Sequence, residues 1–204
     1  MDIFNFKNLD KNILNKAEKI KLLILDIDGV MTNGQLFLDD NFIQTKAFHV
    51  RDGFGIRQLI KEGLQIAVIT GRESKLVSER IRELGIQYLF QNSPDKLPIY
   101  KNLLKNLNLQ PENTSFMGDD LIDLPIMTQV GLSACPKDAY PFVLKHSDFI
   151  SQYKGGKGAV RELCDLILHS KNRLEPICQQ FLKDGSELPK SQHAHPSKSS
   201  FHSS

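Results

Sequence analysis

Cysteine is scarce in this chain. Cys135, Cys164 and Cys178 are three in 204 residues, odd in number and far apart. That spacing excludes a disulfide framework and offers no zinc site, and it fits a reducing cytoplasm. Excess charge is equally lacking, with 26 Lys and Arg against 24 Asp and Glu. A net charge of +2 gives no reason to expect nucleic acid or a membrane surface as partner. No apolar run approaches the length that spans a bilayer, and no N-terminal segment has the layout of a secretory signal. What is present, 40% apolar and 25% charged residues, is the composition of a soluble globular protein with room for one sizeable core.

Within that composition, short apolar runs alternate with helical patterns from Lys21 to about residue 169. "KLLILDI" (21–27), "GLQIAVIT" (63–70), "IQYLF" (86–90), "TSFMG" (114–118) and "GLSAC" (131–135) read as strands. Helical patterns lie near 54–62, 74–84, 97–107, 122–129 and 138–146. Gly85 marks a helix stop, and Ser93-Pro94 a cap and first helical residue. Continuous apolar strands separated by helices imply a doubly wound parallel α/β sheet. "GQLFLDDNFIQTKAFHV" (34–50) breaks this rhythm and reads as a β-hairpin about Asp39-Asp40-Asn41. Residues 1–20 read as a lead-in with a helix around 10–19, residues 21–170 as the domain, and residues 171–204 as a disordered tail. His193 and His195 fall in that tail and read as solvated.

The chemistry is concentrated at strand ends, where ligands bind in open parallel sheets. Asp26 and Asp28 close the first strand, and "GDDLID", with Asp119, Asp120 and Asp123, closes the fourth. A lone Asp-x-Asp is commonly just a turn, but two acidic strand ends on one sheet edge repel each other unless a cation joins them. Oxygen donors without His or Cys favour Mg²⁺. One carboxylate of such a pair can attack phosphorus while a second shuttles protons. Thr70 and the Gly71 amide offer donors to a phosphoryl oxygen, and Arg72 an anion clamp. Lys96 falls in the first turn of a helix, where the macrodipole disfavours a cation unless it compensates an anion. "KGGKG" with Arg161 suits either an anion at a helix N-terminus or a plain glycine loop. Asp52, beside Arg51, serves either a ligand or a helix cap.

Taken in order, Asp26-x-Asp28-Gly29-Val30, Thr70-Gly71, Lys96 and Gly118-Asp119-Asp120-x-x-Asp123 resemble the haloacid dehalogenase superfamily of phosphotransferases. The resemblance implies Asp26 as nucleophile, Asp28 as acid/base, and Thr70 and Lys96 as phosphoryl holders. It implies Mg²⁺ on the Asp26 carboxylate, the Asp28 carbonyl and Asp119, with Asp120 and Asp123 in support. Neither gap between these pieces can hold a cap domain. Over about 21–168 the chain is similar, within that superfamily, to the capless tetrameric phosphatases of 3-deoxy-D-manno-octulosonate 8-phosphate, in lipopolysaccharide sugar synthesis. That similarity rests on "DIDGVMTNG", "FHVRDGFGIRQL", "VITGRES", "GDDLIDLPIM" and "GGKGAVRELCDLIL".

The closer resemblance implies a sugar-acid phosphate substrate held by Asp28, Arg51, Gly71, Arg72 and Lys96. It also implies a homotetramer built on the hairpin, and a segment, here Tyr153, Lys154, Gly155, Gly156 and Lys157, that covers a neighbour's site. One departure is "FQNSPDK", where the pattern commonly reads closer to "YQGxxDK". Two other readings stand beside this one: a phosphatase of a nine-carbon acid sugar phosphate, and a non-catalytic assembly module.

Overall fold

The computed structural model describes Phe6 and residues 9–41 and 44–184. Its centre is a sheet of six parallel strands: β1 (Leu22–Leu25), β4 (Gln65–Ile69), β5 (Tyr88–Phe90), β6 (Thr114–Met117), β7 (Leu132–Cys135) and β8 (Phe149–Ile150). The remaining two strands, β2 (Phe37–Leu38) and β3 (Gln44–Thr45), pair antiparallel as the hairpin between β1 and β4. The sheet order is β5-β4-β1-β6-β7-β8, so the chain winds outward from β1 in both directions. The strand read at 131–135 is present, and β8 adds an edge strand that two residues were too few to announce.

Alternation along each strand divides the core in two. Leu23 and Leu25 of β1, with Ile66 and Val68 of β4, face helices α1 (Lys11–Glu18), α2 (Val50–Lys61), α3 (Lys75–Leu84) and α7 (Ala159–Ser170). Leu22, Ile24, Ala67 and Ile69 face the other way, onto α4 (Leu97–Leu107), α5 (Leu124–Met127) and α6 (Pro141–Lys145). Both faces are therefore dry, as a parallel sheet requires. Asp10 caps α1 through the Asn12 amide at 2.8 Å, and Gly85 ends α3 in the left-handed region.

Some boundaries differ from the sequence reading. Helix α2 begins four residues early, at Val50; glycines discourage that reading, yet Gly55 is needed because a Cβ there would lie 2.9 Å from Arg161. Helix α4 begins at Leu97 and not at Pro94; Ser93 instead donates its hydroxyl to the Gln91 carbonyl at 3.0 Å. Helices α5 and α6 are shorter than expected, four and five residues.

The reading of 171–204 as a tail fails over its first part, because residues 174–184 form α8 (Leu174–Asp184). Leu174, Ile177, Cys178 and Phe181 recur at helical spacing and pack on the α1–α2–α7 side of the core. The rest of the tail, His193 and His195 included, and most of the lead-in before Leu9 lie outside the described residues.

Helix α8 gives a first test. Leu174→Ala, at a side chain 2% exposed, should lower the unfolding free energy by about 2–4 kcal/mol, read as a shift of the urea midpoint at constant slope. A loss within about 0.5 kcal/mol, the level of ordinary surface substitutions, would mean that the helix does not dock.

Candidate active site

The register of the sheet assembles the site. Leu25 lies opposite Val68 on β4 and Met117 on β6. One step further, β1 delivers Asp26 between its neighbours' ends, where Thr70 follows β4 and Asp119 follows β6. Asp26 is 5% exposed and Thr70 3%. The loop "FQNSPDK" joins them: the Ser93 amide donates to the Thr70 carbonyl at 3.1 Å. Asn92, which stands where the similar pattern has glycine, adopts φ +52°, a left-handed conformation that Asn tolerates. The departure therefore leaves the turn intact.

Lys96 closes the cluster. Standing just before α4 and almost wholly buried, its Nζ lies 2.6 Å from Asp123 Oδ1 and 3.0 Å from Asp26 Oδ1. Burial, the largest influence, pulls its pKa down, but the charges of Asp26 and Asp123 outweigh it and leave the pKa raised. Asp123, fully buried, spends its other oxygen on the backbone amides of Asp119 and Asp120, at 2.9 and 3.3 Å. It is a saturated organising group. Asp120 turns away and caps the following turn through the Leu121 amide.

The remaining carboxylates are unsettled. Asp26 Oδ1 is buried and, although near Lys96, has no aligned hydrogen-bond donor. Burial, followed by the charge of Asp123, raises the Asp26 pKa to about 6 despite Lys96. Asp119 is pushed up to about 8 by burial and then by the charges of Asp123, Asp26 and Asp120. Oxygens of Asp26, Asp119 and Asp123 all lie within 4.8 Å of one another. A largely buried all-oxygen cluster whose three carboxylates share a single ammonium fits a hard divalent cation. Asp26 and Asp119 are the members left to bind it.

Asp28 stands beyond Asp26 in the tight turn 27–31, with its side chain 23% exposed and its Oδ1 ion-paired to Lys46 of the hairpin. Lys46 was not anticipated; a lysine after a two-residue strand carries no sequence signal of its own. Gly29 sits in the same turn at φ +92°, and a Cβ there would lie 2.0 Å from Asp119 Oδ2. Both facts require glycine.

In the loop 153–157, Gly155 and Gly156 are buried against the turn of their own chain: the Gly156 amide donates to the Val30 carbonyl at 2.9 Å, and a Cβ on Gly155 would lie 1.7 Å from the Gly29 oxygen. Asp138 holds the Gly155 amide at 2.9 Å. These glycines brace the turn that carries Asp28, while Tyr153, Lys154 and Lys157 are exposed. Asp52 proves to be a cap, but of α7, accepting the Arg161 amide at 2.9 Å. Arg51 is not gathered with the carboxylates. It lines a cleft of about 440 Å³ with His49, Tyr153, Lys157, Arg161 and Asp165. Gly71 follows Thr70, and Arg72 is exposed beside it.

With this geometry in place, likeness to known proteins becomes informative. The profile of the haloacid dehalogenase-like hydrolases matches residues 89–163. The 3-deoxy-D-manno-octulosonate 8-phosphate phosphatase KdsC of Yersinia pestis is 48% identical over 164 residues, which are 80% of this chain and 88% of the relative. This chain belongs to the KdsC family of haloacid dehalogenase-like hydrolases.

Solved KdsC structures share the fold. The crystal structure of the Yersinia pestis phosphatase superposes with a TM-score of 0.79 over 80% of this chain and 89% of that one. The Moraxella catarrhalis phosphatase, crystallised with a magnesium ion, a phosphate ion and a KDO molecule, is 37% identical. It gives a TM-score of 0.82 over 84% of this chain and 98% of its own.

Two tests follow from the cluster. Because the folded-state pKa of Asp119 lies near 8, above the ordinary 3.8, the folded state binds more protons between those values. Metal-free protein should lose stability as pH rises from about 4 to about 8. Mg²⁺ should raise the melting temperature more at pH 8 than at pH 5, and Asp119→Asn should flatten the metal-free decline; a profile identical in wild type and variant would contradict the burial of that charge. Gly155→Ala should displace the turn 27–31 and lower kcat by at least about tenfold, a loss of about 1.4 kcal/mol in transition-state stabilisation, with circular dichroism unchanged. Full activity would mean that the brace is not needed.

Proposed function

We propose that the chain is a Mg²⁺-dependent phosphatase that hydrolyses 3-deoxy-D-manno-octulosonate 8-phosphate to the free sugar acid and phosphate. The observation that carries this reading is the convergence of Asp26, Lys96 and Asp119 at one sheet edge, with Asp28 in the adjoining turn. That arrangement occurs in a chain 48% identical to a phosphatase named for this substrate. No acid or phosphoryl holder is missing, which disfavours an assembly module without activity.

Asp26, one oxygen of which has no aligned donor, is the nucleophile. It attacks phosphorus in line with the departing sugar oxygen and forms an aspartyl-phosphate. Asp28 gives a proton to that oxygen, then takes one from the water that hydrolyses the intermediate. Thr70, the Gly71 amide and the Lys96 ammonium hold the phosphoryl oxygens, and Lys96 is pre-positioned by Asp123, so it needs no reorganisation. The Asp26 carboxylate, the Asp28 carbonyl and Asp119 would hold Mg²⁺, which when bound neutralises the cluster and draws charge from the phosphoryl group. Arg72, exposed beside Gly71, is the proposed cation for the substrate's carboxylate, and the segment with Lys154, Gly155, Gly156 and Lys157 is proposed to cover the site of a neighbouring subunit.

The proposed assembly is a homotetramer built on the hairpin, whose Leu36, Phe37 and Leu38 are 45%, 53% and 61% exposed on one short segment. The proposed compartment is the cytoplasm, in keeping with three free cysteines. Among the described residues no helix is long and apolar enough to cross a membrane. The proposed domain is residues 21–170 extended by α8, with the earlier residues as a lead-in that packs through α1.

A phosphate-release panel tests the reaction: the eight-carbon substrate, a nine-carbon acid sugar phosphate and a plain aryl phosphate, each with Mg²⁺ and with EDTA. The eight-carbon substrate should lead by kcat/KM, and EDTA should silence all three. Asp26→Asn should lower kcat by at least about a thousandfold without unfolding the chain, and full activity in that variant would contradict the mechanism. Phe37→Glu should yield a smaller species by size exclusion with light scattering; an unchanged mass would remove the hairpin from the interface.

A further inference from the structure

The hairpin delivers one residue that neither assembly nor phosphoryl binding explains. Lys46 directly follows β3, and its side chain is 1% exposed. Its ammonium pairs with Asp28 Oδ1 and with no other carboxylate among the described residues. Other acids were at hand. Lys46 lines a second cleft, separate from that of Arg51 and also of about 440 Å³, together with Glu79 and Glu83 of α3. Glu79 is taken by Arg82, and Glu83 by Arg57 and Arg80.

A buried lysine is a poor way to anchor a hairpin. Desolvation offsets most of what the ion pair returns, and an apolar side chain of similar size would hold as well. The pair is better explained by what it does to Asp28. That carboxylate stands on a tight turn and is partly open to water, with no other side-chain hydrogen bond among the described residues. Left alone, it would sample several rotamers. Tied at Oδ1, it presents Oδ2 in one orientation.

We propose that Lys46 is the positioning residue for acid catalysis: by fixing one oxygen of Asp28 it aims the other at the leaving oxygen of the phosphate ester. The inference rests on the phosphatase reading above. As the Asp26 oxygen bonds to phosphorus, the bond from phosphorus to the ester oxygen breaks and its electron pair goes to that oxygen. The proton on Asp28 Oδ2 is delivered there in the same step. Lys46 touches neither substrate nor phosphorus; its contribution is geometric, in the sense that orientation replaces a search.

Such a role has a signature that a structural role lacks. A good leaving group departs without a proton, whereas a poor one needs the acid. The test measures kcat/KM, which reports the steps through loss of the leaving group, for dinitrophenyl, para-nitrophenyl and phenyl phosphates and for the sugar-acid phosphate. Lys46→Met should lower the value for the poorest leaving groups by about a hundredfold, the scale of lost acid catalysis, and that for dinitrophenyl phosphate by no more than about threefold. Lys46→Arg, which keeps the ion pair, should restore much of the wild-type slope.

An equal loss across the series, whether in kcat or through a shared rise in KM, would make Lys46 a structural or phosphate-binding residue and overturn the inference. So would an Arg variant as steep as the Met variant. Should Lys46→Met fail to fold by circular dichroism, Lys46→Gln takes its place with the same two readings. If wild-type protein releases no phosphate from any of these esters with Mg²⁺, the phosphatase reading itself is contradicted, a result distinct from an unaltered slope.

Discussion

Everything at the strand ends depends on one buried ammonium. Lys96 sits between Asp26 and Asp123, and without it three acidic side chains could not share the edge of a dry parallel sheet. Its location before α4 is electrostatically unfavourable, so its own stability depends on the carboxylates in turn. The arrangement is mutual and incomplete. Asp123 is satisfied by Lys96 and two amides, whereas Asp26 and Asp119 remain with raised pKa values. This residual imbalance is what a divalent cation would relieve.

The rest of the architecture serves to hold that imbalance in place. Register along β1 sets Asp26 between Thr70 and Asp119, so placement of the nucleophile follows from strand pairing. The turn after β1 is fixed from two sides. Gly155 and Gly156 press on it from the loop before α7, and Lys46 ties Asp28 from the hairpin. These supports come from segments distant in sequence, and no cap domain stands over the turn among the described residues, so precision around Asp28 rests on backbone packing and one ion pair.

Much of this was legible in the sequence because it follows from local pattern. The apolar run "KLLIL" and the helix stop at Gly85 are local facts, and the fixed order of Asp26, Thr70, Lys96 and Asp119 is itself enough to resemble the superfamily. What escaped depends on partners far along the chain. Asp52 caps α7 and not its own helix because α2 and α7 pack closely at Gly55. Gly155 and Gly156 also brace the turn after β1 in the same chain, a contact that spacing cannot reveal. Helix α8 was overlooked because Leu174, Ile177, Cys178 and Phe181 are few and stand next to a polar tail, and their periodicity gains meaning only against the apolar groove of α2 and α7. Lys46 could not be singled out at all, since its burial is a tertiary fact.

The proposed chemistry turns on Asp26 accepting phosphorus beside a cation that offsets the remaining charge of Asp26 and Asp119. A crystal structure grown with Mg²⁺ and trifluoroberyllate, a mimic of an acyl phosphate, tests it most directly. The trifluoroberyllate is expected bonded through beryllium to an Asp26 carboxylate oxygen, with the metal touching Asp26, the Asp28 carbonyl and Asp119. An adduct on another residue, or Asp26 left bare while Mg²⁺ is bound elsewhere, would contradict it.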